Sequence, residues 1–232
     1  MDSRRLRIAS LAVLGASALS VLAGSAKADV TIYTSYPAYV NGSLENLVPF
    51  YDDGTPGYPG GPGLGNTITF GDTARQLTTV FLEEGNAGGN TGSYTLTLYG
   101  GADPNTAPEL GSVTIPSHSG INQFDEFDFT SQDITLPDTI TFVVASGAGS
   151  FNGVASASGA PTIGSADNSI WYGSPGSYVA NNTFATADGA PANDNYLTAE
   201  FNAVPEPSAV LLFVTMLAGV AGLAFVSPKK LT

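Results

Sequence analysis

The stretch Ser93-Tyr94-Thr95-Leu96-Thr97-Leu98 alternates strictly between small hydroxylated and bulky residues before Tyr99. Only an extended chain turns that period into one apolar face, because strand side chains alternate sides while a helix returns every third or fourth residue. Tyr94, Leu96 and Leu98 therefore face a core, and the threonines face away. Thr139–Val144 repeats the pattern with Ile140, Phe142 and Val144 inward. Leu77–Leu82 is more continuously apolar, and Asn66–Phe70, Ser112–Ile115 and Phe124–Phe129 extend the series. Val30–Thr34 opens it with β-branched and aromatic residues. Tyr196–Phe201 closes it with Leu197, Ala199 and Phe201 on one face. Turn clusters at 85–90, 100–105 and 136–138 separate these runs. Ile170–Tyr172 and Ser177–Val179 read as short strands around Gly173–Gly176, while Asp52–Gly65 reads as a Gly/Pro loop and Gly153–Gly164 as an irregular segment. The body carries no sustained apolar pattern at helical spacing. The expected fold is an all-β antiparallel sandwich over residues 29–203.

The two ends of the chain follow different rules. Arg4, Arg5 and Arg7 precede an apolar stretch, Ile8–Leu22, and Ala26-Lys27-Ala28 has the form of a cleavage site. Residues 1–28 thus read as a signal peptide helix removed by signal peptidase after passage through the export translocase, leaving Asp29 first. At the other end, Val204-Pro205-Glu206-Pro207-Ser208 precedes an uncharged run, 209–226, and a basic tail with Lys229 and Lys230. The prolines keep the first segment extended. As a helix the run reaches about 27 Å, close to the thickness of a thin bilayer core. The lysines resist translocation.

This order of parts resembles the PEP-CTERM sorting signal of exported bacterial proteins, with Pro205, Glu206 and Pro207 on the motif itself. The Lys-Lys-Leu-Thr tail departs from the arginine cluster usual in that family. The resemblance implies a membrane-tethered precursor facing the periplasm. An exosortase-type enzyme then processes it for the cell surface or extracellular matrix. Phe127–Phe129, Ile134–Pro137, Phe142–Val144 and Trp171-Tyr172 give the body a looser likeness to β-sandwich domains found upstream of such signals. That likeness implies a jelly-roll-like fold and no activity.

Charge narrows the partners. Between Asp29 and Ala203 the only basic residue is Arg75, against 12 Asp and 6 Glu. Such a body repels nucleic acid, whose binding is driven by Lys and Arg contacts with phosphate. With no cysteine in the chain, neither a disulfide frame nor a thiolate site exists.

Candidate chemistry is sparse. His118, the one histidine, lies in a polar turn, and no G-x-S-x-G elbow accompanies it. Asp125, Glu126, Asp128 and Asp133 cluster, and a carboxylate pair is what a glycosidase uses. Asp125 and Asp128 differ in strand parity, however, so a solvated strand edge is the simpler account. Structural calcium, which takes hard oxygen ligands, has loop candidates in Asp52, Asp53, Asp103, Asp188 and Asp194; the same residues are ordinary turn formers. Trp171, Tyr172 and Tyr178 are the candidates for contact with a glycan, and Trp171 and Tyr172 as neighbours in a strand must face opposite sides. The sequence therefore points to a non-catalytic surface or matrix protein with no required cofactor. A carbohydrate-binding module contacting extracellular polysaccharide is the alternative, and a carboxylate-dependent glycoside hydrolase is a third reading.

Overall fold

A computed structural model describes residues 29–35, 47–49, 63–71, 75–86, 92–116, 120–146, 152–157, 160–181 and 196–205. Ala26, Ala28, Asp52, Asp53, His118, Asp188, Asp194, Glu206–Ser208, Lys229, Lys230 and both terminal apolar runs lie outside these residues. Among the described residues no helix is long and apolar enough to cross a membrane.

The described chain is almost wholly strand. The first seven strands are β1 (Val30–Thr34), β2 (Leu47–Pro49), β3 (Gly63–Thr69), β4 (Arg75–Asn86), β5 (Ser93–Tyr99), β6 (Glu109–Pro116) and β7 (Gly120–Asp128). After a single 3-10 turn at Thr130–Gln132 come β8 (Thr135–Leu136), β9 (Thr139–Ser146), β10 (Asn152–Ala157), β11 (Ser165–Gly173), β12 (Val179–Asn181), β13 (Tyr196–Leu197) and β14 (Ala199–Pro205). They form two antiparallel sheets. One sheet is ordered β12-β11-β3-β9-β5-β6. The other is built on β4, with β14 and then β1 on one side and β7 and β8 on the other. Beyond β14, β10 continues along the same side of β4 and carries β2 and β13. The chain crosses repeatedly between sheets, from β3 to β4, from β4 to β5 and from β6 to β7.

The core lies between the sheets, where period two places it. Tyr94, Leu96 and Leu98 of β5 meet Ile140, Phe142 and Val144 of β9 and Leu77, Val80 and Leu82 of β4, all buried. Phe201 sits at the middle of this layer. Its ring lies 5.9 Å from Tyr33, 5.5 Å from Phe70 and 5.7 Å from Phe142, centroid to centroid, all within favourable aromatic range. Two buried polar side chains close the margin. Asn66 donates to Ser169 O at 2.7 Å and accepts from Leu197 N at 2.6 Å, joining β3, β11 and β13. Ser35 donates to Leu197 O and accepts from Ala199 N, each at 2.8 Å, which fixes β1 against the kink between β13 and β14.

Two expectations are corrected. The segment expected to be irregular from Gly153 contains β10, whose one large apolar side chain, Val154, is fully buried. Small residues suffice there because the neighbouring strands supply the backbone ladder that holds it. The Gly/Pro loop ends earlier than expected, since Gly63 and Gly65 belong to β3. A Cβ at Gly65 would overlap the Phe142 carbonyl of β9, so glycine at this position marks close backbone approach rather than a turn.

Candidate functional site

Among the described residues three places gather chemistry: the last strand, an aromatic patch and an acid pair on the inner face.

The last strand is β14. Its apolar alternation, Ala199, Phe201 and Ala203, anchors it in the core. Its ladder with β4 continues through Val204↔Gln76 and Pro205↔Arg75. Proline is tolerated at that last rung because the ladder ends there. The first two residues of the proposed sorting motif, Val204 and Pro205, therefore belong to the folded sheet. On the far side β1 pairs with β14 as Val30↔Ala203, so the first described strand starts beside the point where the last one ends. Arg75 shares its rung with Pro205 and, across β8, with Leu136. Because Leu136 is buried, Arg75 lies on the inner face; its Nη1 is buried and meets no hydrogen-bond partner among the described residues.

The aromatic patch lies on the outer face of the six-stranded sheet. Trp171 and Tyr178 are there together, with Tyr99 and Val143, whereas Tyr172 points inward and packs on the main core. The three residues nominated for a glycan are thus split between two faces. Tyr178 is buried and its ring lies 6.1 Å from that of Tyr99. Burial first, and then the neighbouring Tyr99, push its phenol far up. Half-buried Trp171 donates from Nε1 to Thr67 Oγ1 at 2.9 Å. The segment 100–108 folds over this face: Thr67 donates to Ala102 O at 3.0 Å and Thr141 to Gly101 O at 2.9 Å. Asn105 clamps it to Tyr178, donating to Tyr178 O at 2.9 Å and accepting from Tyr178 N at 2.7 Å.

The same clamp accounts for Asp103. Its carboxylate accepts from Asn105 N at 2.9 Å, Asn105 Nδ2 at 3.0 Å and Thr106 Oγ1 at 3.2 Å, and these bonds, the Asn105 amide foremost, hold it below the usual carboxylate range. It is the turn-forming role that sequence offered beside calcium. Among the described residues no group of three His, Asp or Glu side chains is arranged to hold a metal ion.

The acidic run of β7 is divided by strand parity. Glu126 and Asp128 are exposed on the outer face, and the Thr130 hydroxyl and amide hold the Asp128 carboxyl down. Exposed Asp133, beyond the 3-10 turn, accepts a hydrogen bond from Gln76 Nε2. Asp125 opposes buried Leu82 and so turns inward. There it faces Glu84, which is fully buried. Burial raises the Glu84 carboxyl well above its ordinary range, and the charge of Asp125 raises it further. Sequence reasoning missed Glu84. The alternation Val80, Leu82, Glu84 was the available signal, but the turn residues Gly85 and Asn86 pointed to an earlier strand end.

No family model matches the chain, and no curated protein matches it either.

Proposed function

We propose that this chain is an exported, non-catalytic bacterial surface or matrix protein. Residues 1–28 direct export, the jelly-roll-like sandwich is the displayed body, and 204–232 is a PEP-CTERM-type sorting segment handled by an exosortase-type enzyme. One observation carries the reading: β14 leads from the centre of a sheet directly into Val204-Pro205, so no linker separates the folded body from the motif. A body joined in this way is held against the membrane until the segment is processed. The antiparallel crossings between the two sheets support the jelly-roll likeness.

The test is the intact mass and terminal sequence of the protein from its native host, compared with a Glu206→Ala variant. The expected native chain starts at Asp29 and ends within 205–208, and the variant keeps its tail in the inner membrane. A native chain ending at Thr232, or normal processing of the variant, overturns the sorting reading.

The second reading, contact with extracellular polysaccharide, is favoured by the half-exposed Trp171 on the outer face, its indole fixed by Thr67. Loss of retention on a polysaccharide column in Trp171→Ala, with the fold intact by circular dichroism, would support it. Tyr172→Ala is unsuitable as a surface probe because Tyr172 packs on the core.

A further inference from the structure

The end of the sandwich away from the proline strand sets a fully buried acid, Glu84, against a half-buried one, Asp125. Glu84 follows Val80 and Leu82 on the inner face of β4, and Asp125 lies across from Leu82 on β7, diagonal to Glu84 on that face. Both carboxyl oxygens of Glu84 are buried, and among the described residues no hydrogen-bond donor reaches them. The polar group set against them is the second acid. Tyr94 of β5 closes the opposite side, and burial, then Glu84 and Asp125, raise its phenol so that it stays neutral. β10 places uncharged Val154 directly across from Glu84. Of the other acids on these strands, Glu126 and Asp128 face outward, and Glu83, also buried, lies on the opposite face of β4. Arg75 is at the far end of β4. The connection between β6 and β7, with His118, is outside the described residues.

We infer that Glu84 and Asp125 form a proton-held latch, which keeps this end of the sandwich closed while the two carboxyls share one proton and releases it when both ionise. A carboxyl cut off from water beside a second carboxylate ionises only at high cost, so Glu84 and half-buried Asp125 retain one proton between them, which one donates to the other. The folded state thus holds that proton more tightly than the unfolded chain. The stabilisation is fully present below the unfolded carboxyl range and is lost as pH rises through the raised folded value. When it is lost the second charge must be hydrated, and the cheapest route is local separation of the strand ends of β4, β7 and β5 rather than global unfolding.

The test is amide hydrogen exchange on the full-length chain between pH 5 and pH 8, corrected for the intrinsic rate. Peptides from 79–86 and 120–128 are followed against 199–205. The expected result is about a tenfold loss of protection in the first two, with little change in the third. Glu84→Gln keeps the protection at pH 8, and Asp125→Asn does the same by removing the other charge. Equal loss in all three peptides, or the same loss in both variants, overturns the latch. If millimolar calcium restores protection in the native chain at pH 8 and has no effect on Glu84→Gln, the pair is a cation site and the proton latch is overturned.

Discussion

The two ends of β4 carry ionisable groups of opposite kind on the same face, and they solve the problem of burial differently. At its start Arg75 lies inward beside Pro205 and Leu136. A long aliphatic stem lets arginine cover apolar surface while part of the guanidinium reaches water, and Arg75 is only half-buried. At its end Glu84 has a short stem and full burial, so it cannot reach water. It escapes charge instead, by keeping a proton. A buried cation is accommodated by reach, and a buried acid by protonation. Only the second solution depends on the solvent outside.

Phe201→Ala is the broadest probe of that contrast, because the ring lies between the two ends. It should cost about 3–5 kcal/mol in urea unfolding and loosen both ends together. If only one end loosens, the sandwich is not one cooperative unit. Glu84→Gln should gain about 1–3 kcal/mol at pH 8 and almost nothing at pH 4, flattening the pH profile of thermal stability. A gain of equal size at both pH values would show that packing, not protonation, is responsible. Asn105→Ala removes the clamp on segment 100–108 and should cost about 1 kcal/mol without altering the slope between pH 5 and pH 8, since it lies on the outer face of the six-stranded sheet and its effect on Asp103 falls at lower pH. Arg75→Met should change stability by less than about 1 kcal/mol and leave the slope between pH 5 and pH 8 as it was. A changed slope there would mean that the two ends communicate electrostatically along β4.

Much of the architecture was legible because period two is a strong signal when threonine alternates with leucine or phenylalanine. The inward sets on β5 and β9, and Leu197, Ala199 and Phe201 near the end, fall in the core as that alternation requires. So do the opposite fates of Trp171 and Tyr172. β10 was not legible because its ladder is made by backbone, which leaves no mark in a run of glycine, alanine and serine. The start of β3 was hidden for the opposite reason: glycines that permit close packing look like glycines that permit turning. The acid pair was hidden by pairing. Asp125 and Glu84 are far apart in sequence, and only the β4–β7 register brings them onto one face. The clamp formed by Asn105 is likewise nonlocal, since its partner is Tyr178.

The placement of β14 has a mechanical consequence. The strand is flanked by β4 along its length and by β1 over much of it, and its last residue is Pro205. A force applied at that residue along the strand axis loads both ladders in shear. Their rungs share the load and must give way together, whereas a peeled edge strand would open one rung at a time. A chain pulled at Pro205 is therefore held by a strand that lies inside the sheet.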